Sequence, residues 1–169
     1  ITNVASLKEY IENKDSELAL SMPHNGRVLN AFLETDFTNK RALGVLYLME
    51  SKMRKDSHHS TQLLPYSSYS LEHLMPSKWR RNWELPFGAD EDERNRAIKC
   101  IGNMAMITQP LNAAIKNACW LEKKYKGLLK YASDLETLHG VLSLDVWDEN
   151  QIRNRAKYLA GKANEVWPG

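Results

Sequence analysis

The spacing of apolar residues predicts that the first third of the chain is helical. Apolar side chains recur there at intervals of three and four residues, which is the period of a helix with one buried face. The pattern predicts three helices, over residues 4–14, 26–34 and 39–54. Residues 55–68 interrupt it with polar residues and a proline, which is typical of a linker. We therefore expect a helical lead-in over residues 1–60.

The rest of the chain, residues 61–169, alternates between short strands and helices. Strands are predicted over 69–75, which ends before Pro76, and over 101–107. Further helices are predicted from Asp90 to Lys99, over 108–119, over 122–131 and from Asp148 to residue 165, with the two aspartates as N-caps. The predicted fold class is mainly α with a small two-stranded sheet, a helical bundle around a small core in one compact domain.

The composition is that of a folded domain. The chain has 169 residues, of which 43% are hydrophobic, and 23 Lys and Arg face 21 Asp and Glu for a net charge of +2. So small a charge excludes nucleic-acid binding by bulk charge alone, but it leaves room for a local basic face. No run of about 18 apolar residues is present, so we expect no membrane span.

The cysteines and the start of the chain bear on its cellular setting. Two cysteines, Cys100 and Cys119, are too few for a disulfide scaffold or a cysteine-rich zinc site, which fits a reducing compartment. The chain opens on Ile1 without an initiator Met, and no basic segment followed by an apolar run precedes the first helix. We expect a cytoplasmic fragment cut from a longer protein.

Several polar residues occupy positions that their predicted elements disfavour. Strand interiors disfavour Asn and Gly, and helix interiors disfavour Asn. The residues concerned are Glu72, His73, Asn103, Asn112 and Asn117. Local conflicts of this kind, grouped along one stretch of chain, indicate a functional site.

These side-chain types suit metal-assisted hydrolysis of a phosphodiester. A neutral His accepts a proton from an attacking water. Carboxylate and amide oxygens are hard ligands that suit Mg²⁺ or Mn²⁺. A second Asn can accept the other ring N–H of the His and so fix its tautomer.

The same residues resemble the motif of the ββα-metal, or HNH-type, nucleases. The resemblance rests on Glu72-His73-Leu74-Met75-Pro76, on Ile-Gly-Asn-Met-Ala-Met-Ile-Thr over 101–108, and on Leu111-Asn112 followed by Asn117. It implies that His73 is the general base and that Glu72 and Asn112 bind Mg²⁺ or Mn²⁺. It further implies that Asn103 orients His73.

More narrowly, the chain resembles the C-terminal nuclease domain of GmrSD-like modification-dependent restriction proteins, including the SspE phosphorothioation-sensing type. A helix with Ile152, Arg155 and Leu159, followed by Trp167, adds to the motifs above. This resemblance covers roughly residues 25–168. It implies a bacterial antiviral nuclease that nicks double-stranded DNA, and an N-terminal NTP-dependent sensor domain that is missing from this chain.

Basic residues flank the motifs and are candidates for binding DNA phosphates. Those selected are Lys78, Arg80, Arg81, Lys116 and Arg155, together with Asn117. Two alternatives to the nuclease stay open. One is a DNA-binding or regulatory module on a degenerate nuclease fold, and the other is a helical protein-interaction domain in which Glu72, His73 and the asparagines are structural.

Overall fold

The computed structural model describes residues 25–57 and 61–166, so the helix predicted over 4–14 lies outside the described residues. The described helices are α1 (Asn25–Glu34), α2 (Asn39–Asp56), α3 (Glu91–Lys99), α4 (Gln109–Ile115), α5 (Trp120–Lys123), α6 (Leu129–Tyr131) and α7 (Glu149–Val166). Strands β1 (Tyr69–His73) and β2 (Met104–Thr108) pair in an antiparallel sheet. The prediction of a mainly α fold with a small two-stranded sheet is therefore confirmed.

Side-chain caps fix the starts of three helices. Thr38 Oγ1 accepts from the amide of Arg41 at the start of α2. Asp90 Oδ1 accepts from the amide of Asp92 at 2.8 Å, and Asp148 Oδ1 accepts from that of Gln151 at 2.9 Å. Each cap satisfies a helix N–H that has no partner within the helix. The two helix starts predicted at Asp90 and Asp148 are confirmed.

Both strands differ in extent from the prediction. The first ends at His73: the amide of Leu74 still donates to the Asn103 carbonyl at 2.9 Å, but the amide and carbonyl of Met75 bind the Asn103 side chain instead of a strand. The second begins only after that turn, at Met104. In the register of the sheet His73 pairs with Met104, so the last residue of β1 lies opposite the first residue of β2.

Helix α4 is also shorter than predicted. It ends at Ile115, and Lys116 takes a positive φ of 21° that turns the chain away from the helix axis. Helix α5 then continues through a π-helical turn (Lys124–Leu128) into α6. Gly127 in that turn lies so close to α4 that a Cβ there would be 2.5 Å from Cγ2 of Ile115. The absence of a side chain at Gly127 thus lets the two helical segments pack closely.

Asn103 joins the segments that meet between the strands. Its side chain is fully buried, and Oδ1 accepts from the Met75 amide at 2.8 Å and from Trp147 Nε1 at 3.1 Å. Its Nδ2 donates to the carbonyls of Met75 at 2.8 Å and Ile98 at 3.0 Å. One amide therefore satisfies buried polar groups from the end of β1, the end of α3 and the approach to α7.

Helix α7 packs against the 3₁₀ turn that precedes β2. A Cβ at Gly102 would lie 2.2 Å from the carbonyl oxygen of Ile152, so only glycine allows this approach. The same helix contributes the buried Ile152, Ala156 and Leu159 to a core that also includes both strands. No helix among the described residues is long and apolar enough to cross a membrane.

Substituting Gly102 by Ala is expected to destabilise the fold. The new methyl group would overlap the α7 backbone, and overpacking of this kind costs about 1–3 kcal/mol or more of unfolding free energy. Urea denaturation followed by circular dichroism measures the change. Gly161→Ala is the matched control, because nothing lies within 4 Å of its Cβ position and Ala stabilises a helix interior by about 0.5–1 kcal/mol. Equal stability of Gly102→Ala and wild type would contradict the packing described.

Substituting Asn103 by Ala is expected to lower the unfolding free energy by at least about 3 kcal/mol. It leaves four buried polar groups without partners, and each such group costs roughly 1–3 kcal/mol. The same urea titration measures the effect. Asn117→Ala removes an exposed asparagine side chain and should change stability by no more than about 0.5 kcal/mol. Similar midpoints for the two variants would show that the Asn103 bonds are not stabilising.

Candidate active site

The end of strand β1 carries a buried ion pair. Glu72 is only 6% exposed, and its Oε1 forms a short contact with Nζ of Lys123, which is fully buried in α5. The same ammonium group donates to the backbone carbonyl of His73 at 2.8 Å. Lys123 therefore binds two consecutive residues of the candidate motif.

Burial favours the neutral forms of both Glu72 and Lys123. It raises the pKa of Glu72, which the nearby Lys123 charge opposes, and it lowers the pKa of Lys123, which the Glu72 carboxylate opposes. Whichever partner holds the proton, the pair carries no net charge. Glu72 therefore presents a neutralised carboxylate at this site rather than a free anion.

His73 is half-buried at the end of β1. Burial lowers the pKa of its imidazole, and the positive charge of Lys123 lowers it further. A ring whose pKa lies below its ordinary value is neutral at pH 7. His73 is thus held in the form that can accept a proton.

Asn112 projects from α4 toward the same strand. Its Nδ2 donates to Ser70 Oγ at 2.8 Å and to the Leu71 carbonyl at 2.9 Å, which uses both amide hydrogens. Within the described part of the chain, no group donates to its Oδ1. The two bonds fix the amide plane and leave the oxygen available as a ligand atom.

Asn103 has a different role from the one the resemblance implied. Both lone pairs of its Oδ1 accept from Met75 and Trp147, and both hydrogens of its Nδ2 are donated to carbonyls. No capacity remains to accept the ring N–H of His73. The expectation that Asn103 orients His73 through its ring is corrected: it acts on the chain that follows the strand.

The phosphate-binding role expected of Arg155 is also corrected, because its guanidinium group is buried and bound to backbone carbonyls. Its Nη1 donates to the carbonyls of Gly102 at 2.8 Å and Met104 at 2.7 Å, and its Nη2 to that of Thr137 at 3.0 Å. Burial lowers its pKa to about 10, so the group stays protonated at pH 7. Arg155 therefore links α7 to the start of β2 through hydrogen bonds.

The other basic candidates are exposed. Among the described residues, no carboxylate pairs with Lys78, Arg81 or Lys116, whereas Arg80 forms an ion pair with Glu91. The segments that carry these cations are joined by hydrogen bonds. Asn82 Nδ2 donates to the Asn117 carbonyl at 2.6 Å, and Trp83 Nε1 donates to that of Ala118 at 3.1 Å. Unpaired positive charges on two neighbouring segments suit a polyanion.

The donor set fits a hard divalent cation only in part. The described residues contain no cluster of three or more His, Cys, Asp or Glu side chains with metal-binding geometry. The available groups are the Asn112 amide oxygen, the His73 ring and the neutralised Glu72 carboxylate. Amide and carboxylate oxygens suit Mg²⁺ or Mn²⁺, which in proteins commonly complete their coordination with water and substrate phosphate.

The contact of Lys123 with the motif is one that the sequence analysis did not predict. A signal was present in the helical period. The buried positions of this segment are Trp120, Lys123, Lys124, Gly127 and Leu128, the spacing of an inward-facing helix stripe. A lysine on the apolar stripe of a helix needs a buried partner, and Glu72 is the one it has.

The comparison with known protein families gives one match. The family model of the C-terminal domain of GmrSD restriction endonucleases matches residues 22–162. Comparisons with curated proteins and with solved structures found no match. The matched range contains both strands, Asn112, Lys123 and nearly all of α7. The chain therefore belongs to the family of GmrSD restriction endonuclease C-terminal domains.

Proposed function

We propose that the chain is a divalent-metal-dependent endonuclease domain of HNH type that nicks one strand of double-stranded DNA per event. The observation that carries the proposal is the placement of Asn112. Two hydrogen bonds from its Nδ2 to β1 fix the amide of Asn112 and leave its Oδ1 free. The strand that it binds ends in Glu72 and a neutral His73. Membership of a restriction endonuclease family supports the same assignment.

In the proposed reaction His73 is the general base. Its neutral imidazole takes a proton from water as that water attacks the phosphorus, the bond to the 3′ oxygen breaks, and the leaving 3′ oxygen takes a proton from solvent water. Asn112 and Glu72 would hold Mg²⁺ or Mn²⁺, which when bound would supply neutralisation of the charge that develops on the phosphate and the leaving oxygen. Asn103 acts indirectly, because its bonds to Met75 fix the chain directly after His73.

The DNA backbone is proposed to lie on the exposed cations around the motif. Lys78 and Arg81 follow β1, and Lys116 and Asn117 follow α4. The first three carry charges without a carboxylate partner among the described residues. The guanidinium group of Arg80 is proposed to contact the DNA backbone as well, although it also pairs with Glu91.

The resemblance to modification-dependent restriction proteins supports a proposal for where this domain acts and which domain controls it. We place its action in the bacterial cytoplasm, against invading DNA. NTP dependence and the sensing of modified DNA, including phosphorothioation, are assigned to an N-terminal sensor domain rather than to these residues. This assignment accords with the absence of a Gly-x-x-x-x-Gly-Lys-Ser/Thr motif from the chain.

Removing the His73 imidazole is expected to lower the rate of plasmid nicking by about 10²–10⁴-fold, the range that general-base groups contribute. Supercoiled plasmid is incubated with the chain and Mn²⁺ or Mg²⁺, and relaxed circles are quantified on gels. EDTA should abolish the activity of the wild type. His139→Ala is the matched control, because this exposed histidine lies in the turn after Glu136–Leu138 and should nick at the wild-type rate.

The metal role of Asn112 is checked in the same assay. Asn112→Ala should resemble His73→Ala. Asn112→Asp keeps an oxygen ligand but cannot donate to the Leu71 carbonyl, so its rate should fall between those of Asn112→Ala and the wild type. Equal nicking rates for wild type and His73→Ala would overturn the general-base role of His73, and a wild type that never nicks would overturn the nuclease assignment. DNA binding without any nicking would instead favour a regulatory module on a degenerate nuclease fold, for which the neutralised Glu72 is the structural reason.

Replacing Lys78, Arg81 and Lys116 by Ala is expected to weaken duplex binding and flatten its salt dependence. Each DNA phosphate that is no longer neutralised by a side chain reduces the slope of log affinity against log salt by roughly 0.9. Fluorescence anisotropy with a labelled duplex at several salt concentrations measures this slope. The matched control is a triple variant of exposed lysines already paired with carboxylates, Lys52, Lys99 and Lys162. Equal slopes for the two triple variants would exclude the proposed DNA surface.

A further inference from the structure

We propose that Lys123 is a positioning residue of the nicking reaction, which acts by holding the carboxylate of Glu72 and the backbone of His73 in one fixed arrangement. The inference rests on the proposed function. It adds to that function a residue that contacts neither substrate nor reacting water and that acts through its two neighbours on β1.

The contacts of Lys123 define this role. Its Nζ is fully buried, forms the short contact with Glu72 Oε1, and donates to the His73 carbonyl at 2.8 Å. No other described acid or base pairs with Glu72 or Lys123. A helix residue fifty positions away from His73 therefore sets the backbone position of the residue that is proposed to take the proton.

The stability of the fold alone does not require the ion pair between Glu72 and Lys123. Taking an ammonium and a carboxylate out of water costs about as much as their attraction returns, and apolar replacements of buried ion pairs are often neutral or stabilising. The pair instead restrains the end of β1, because the Lys123 side chain forms two directed bonds there.

The neighbouring Lys124 is a reference for a buried lysine that makes no contact with the candidate site. It is 4% exposed and donates to the Leu144 carbonyl at 2.9 Å and to Asp145 at 3.0 Å. It makes the same kinds of bond as Lys123 but none to β1. A comparison of the two lysines therefore separates contact with the site from the general effect of removing a shielded cation.

Lys123 affects a bound cation and the base in opposite directions. Its charge neutralises Glu72, which weakens the attraction of the carboxylate for a divalent cation. Its bond to the His73 carbonyl orders the base. Removal of Lys123 should thus strengthen cation binding while it slows turnover at saturating metal, a combination that general loss of structure does not produce.

The test compares Lys123→Met with Lys124→Met in the full chain. Mn²⁺ binding is measured by calorimetry without DNA, and plasmid nicking is measured at saturating Mn²⁺. Lys123→Met should bind Mn²⁺ more tightly, because no ammonium group then competes for the Glu72 carboxylate, and it should nick about 10–100-fold more slowly, the range by which loss of a group behind a metal ligand lowers activity. Lys124→Met should stay within about twofold of wild type in both, the margin left by a substitution away from the site. Weaker or unchanged Mn²⁺ binding by Lys123→Met, or unchanged nicking, overturns the inference.

A second comparison removes the stability problem of an unpaired buried carboxylate. Glu72→Gln is compared with the double variant Glu72→Gln/Lys123→Met, which leaves no buried charge at the pair. If Lys123 positions His73, the double variant nicks at least about tenfold more slowly than Glu72→Gln although it unfolds at an equal or higher temperature. Equal or faster nicking, or failure of both Lys123 variants to fold, assigns Lys123 a structural role only.

The outcomes separate this inference from the proposed function. A wild-type chain that never nicks refutes the nuclease assignment, and the role of Lys123 in nicking falls with it. A wild-type chain that nicks, with Lys123→Met as fast as Lys124→Met, leaves the nuclease assignment intact and refutes only the positioning role.

Discussion

The bonds of the Asn103 side chain hold together the part of the fold on which the candidate site depends. Beyond the end of β1 the chain has no strand partner among the described residues, and a single buried amide binds the backbone of Met75 and Ile98 and the indole N–H of Trp147. The chain after His73 is thereby fixed to the turn before β2. The positions of Glu72, His73 and the helix that carries Asn112 all follow from this junction.

The cations of the domain fall into two groups with different duties. Lys123, Arg155 and Arg54 are buried and bind carbonyls or carboxylates within the fold. The cations proposed to meet DNA are exposed and have few partners. A chain with a net charge of only +2 can present a local basic face because many of its acidic side chains form ion pairs with other cations, and no carboxylate among the described residues pairs with Lys78, Arg81 or Lys116.

Local signals predicted the helices and their caps well, since Asp90 and Asp148 act on neighbouring residues. The sequence did not reveal the early end of β1 or the late start of β2, because both lie where Asn103 binds Met75, twenty-eight residues away in the chain. It placed Arg155 on DNA, because an arginine in an amphipathic helix gives no sign that carbonyls elsewhere will bury it. The proposed ligand role of Asn112 came from the resemblance of its motif, whereas the motif gives no sign of the ion pair between Glu72 and Lys123.

The contacts that α7 and the segment before it make with the start of β2 have a consequence for folding. Trp147 binds Asn103, and Arg155 binds the carbonyls of Gly102 and Met104, over sequence separations of 44 to 53 residues. Contacts between residues so far apart must offset the entropy of closing a long loop before they stabilise the chain. The start of β2 therefore becomes ordered only together with α7, and a substitution that loosens α7 is expected to loosen the strand as well.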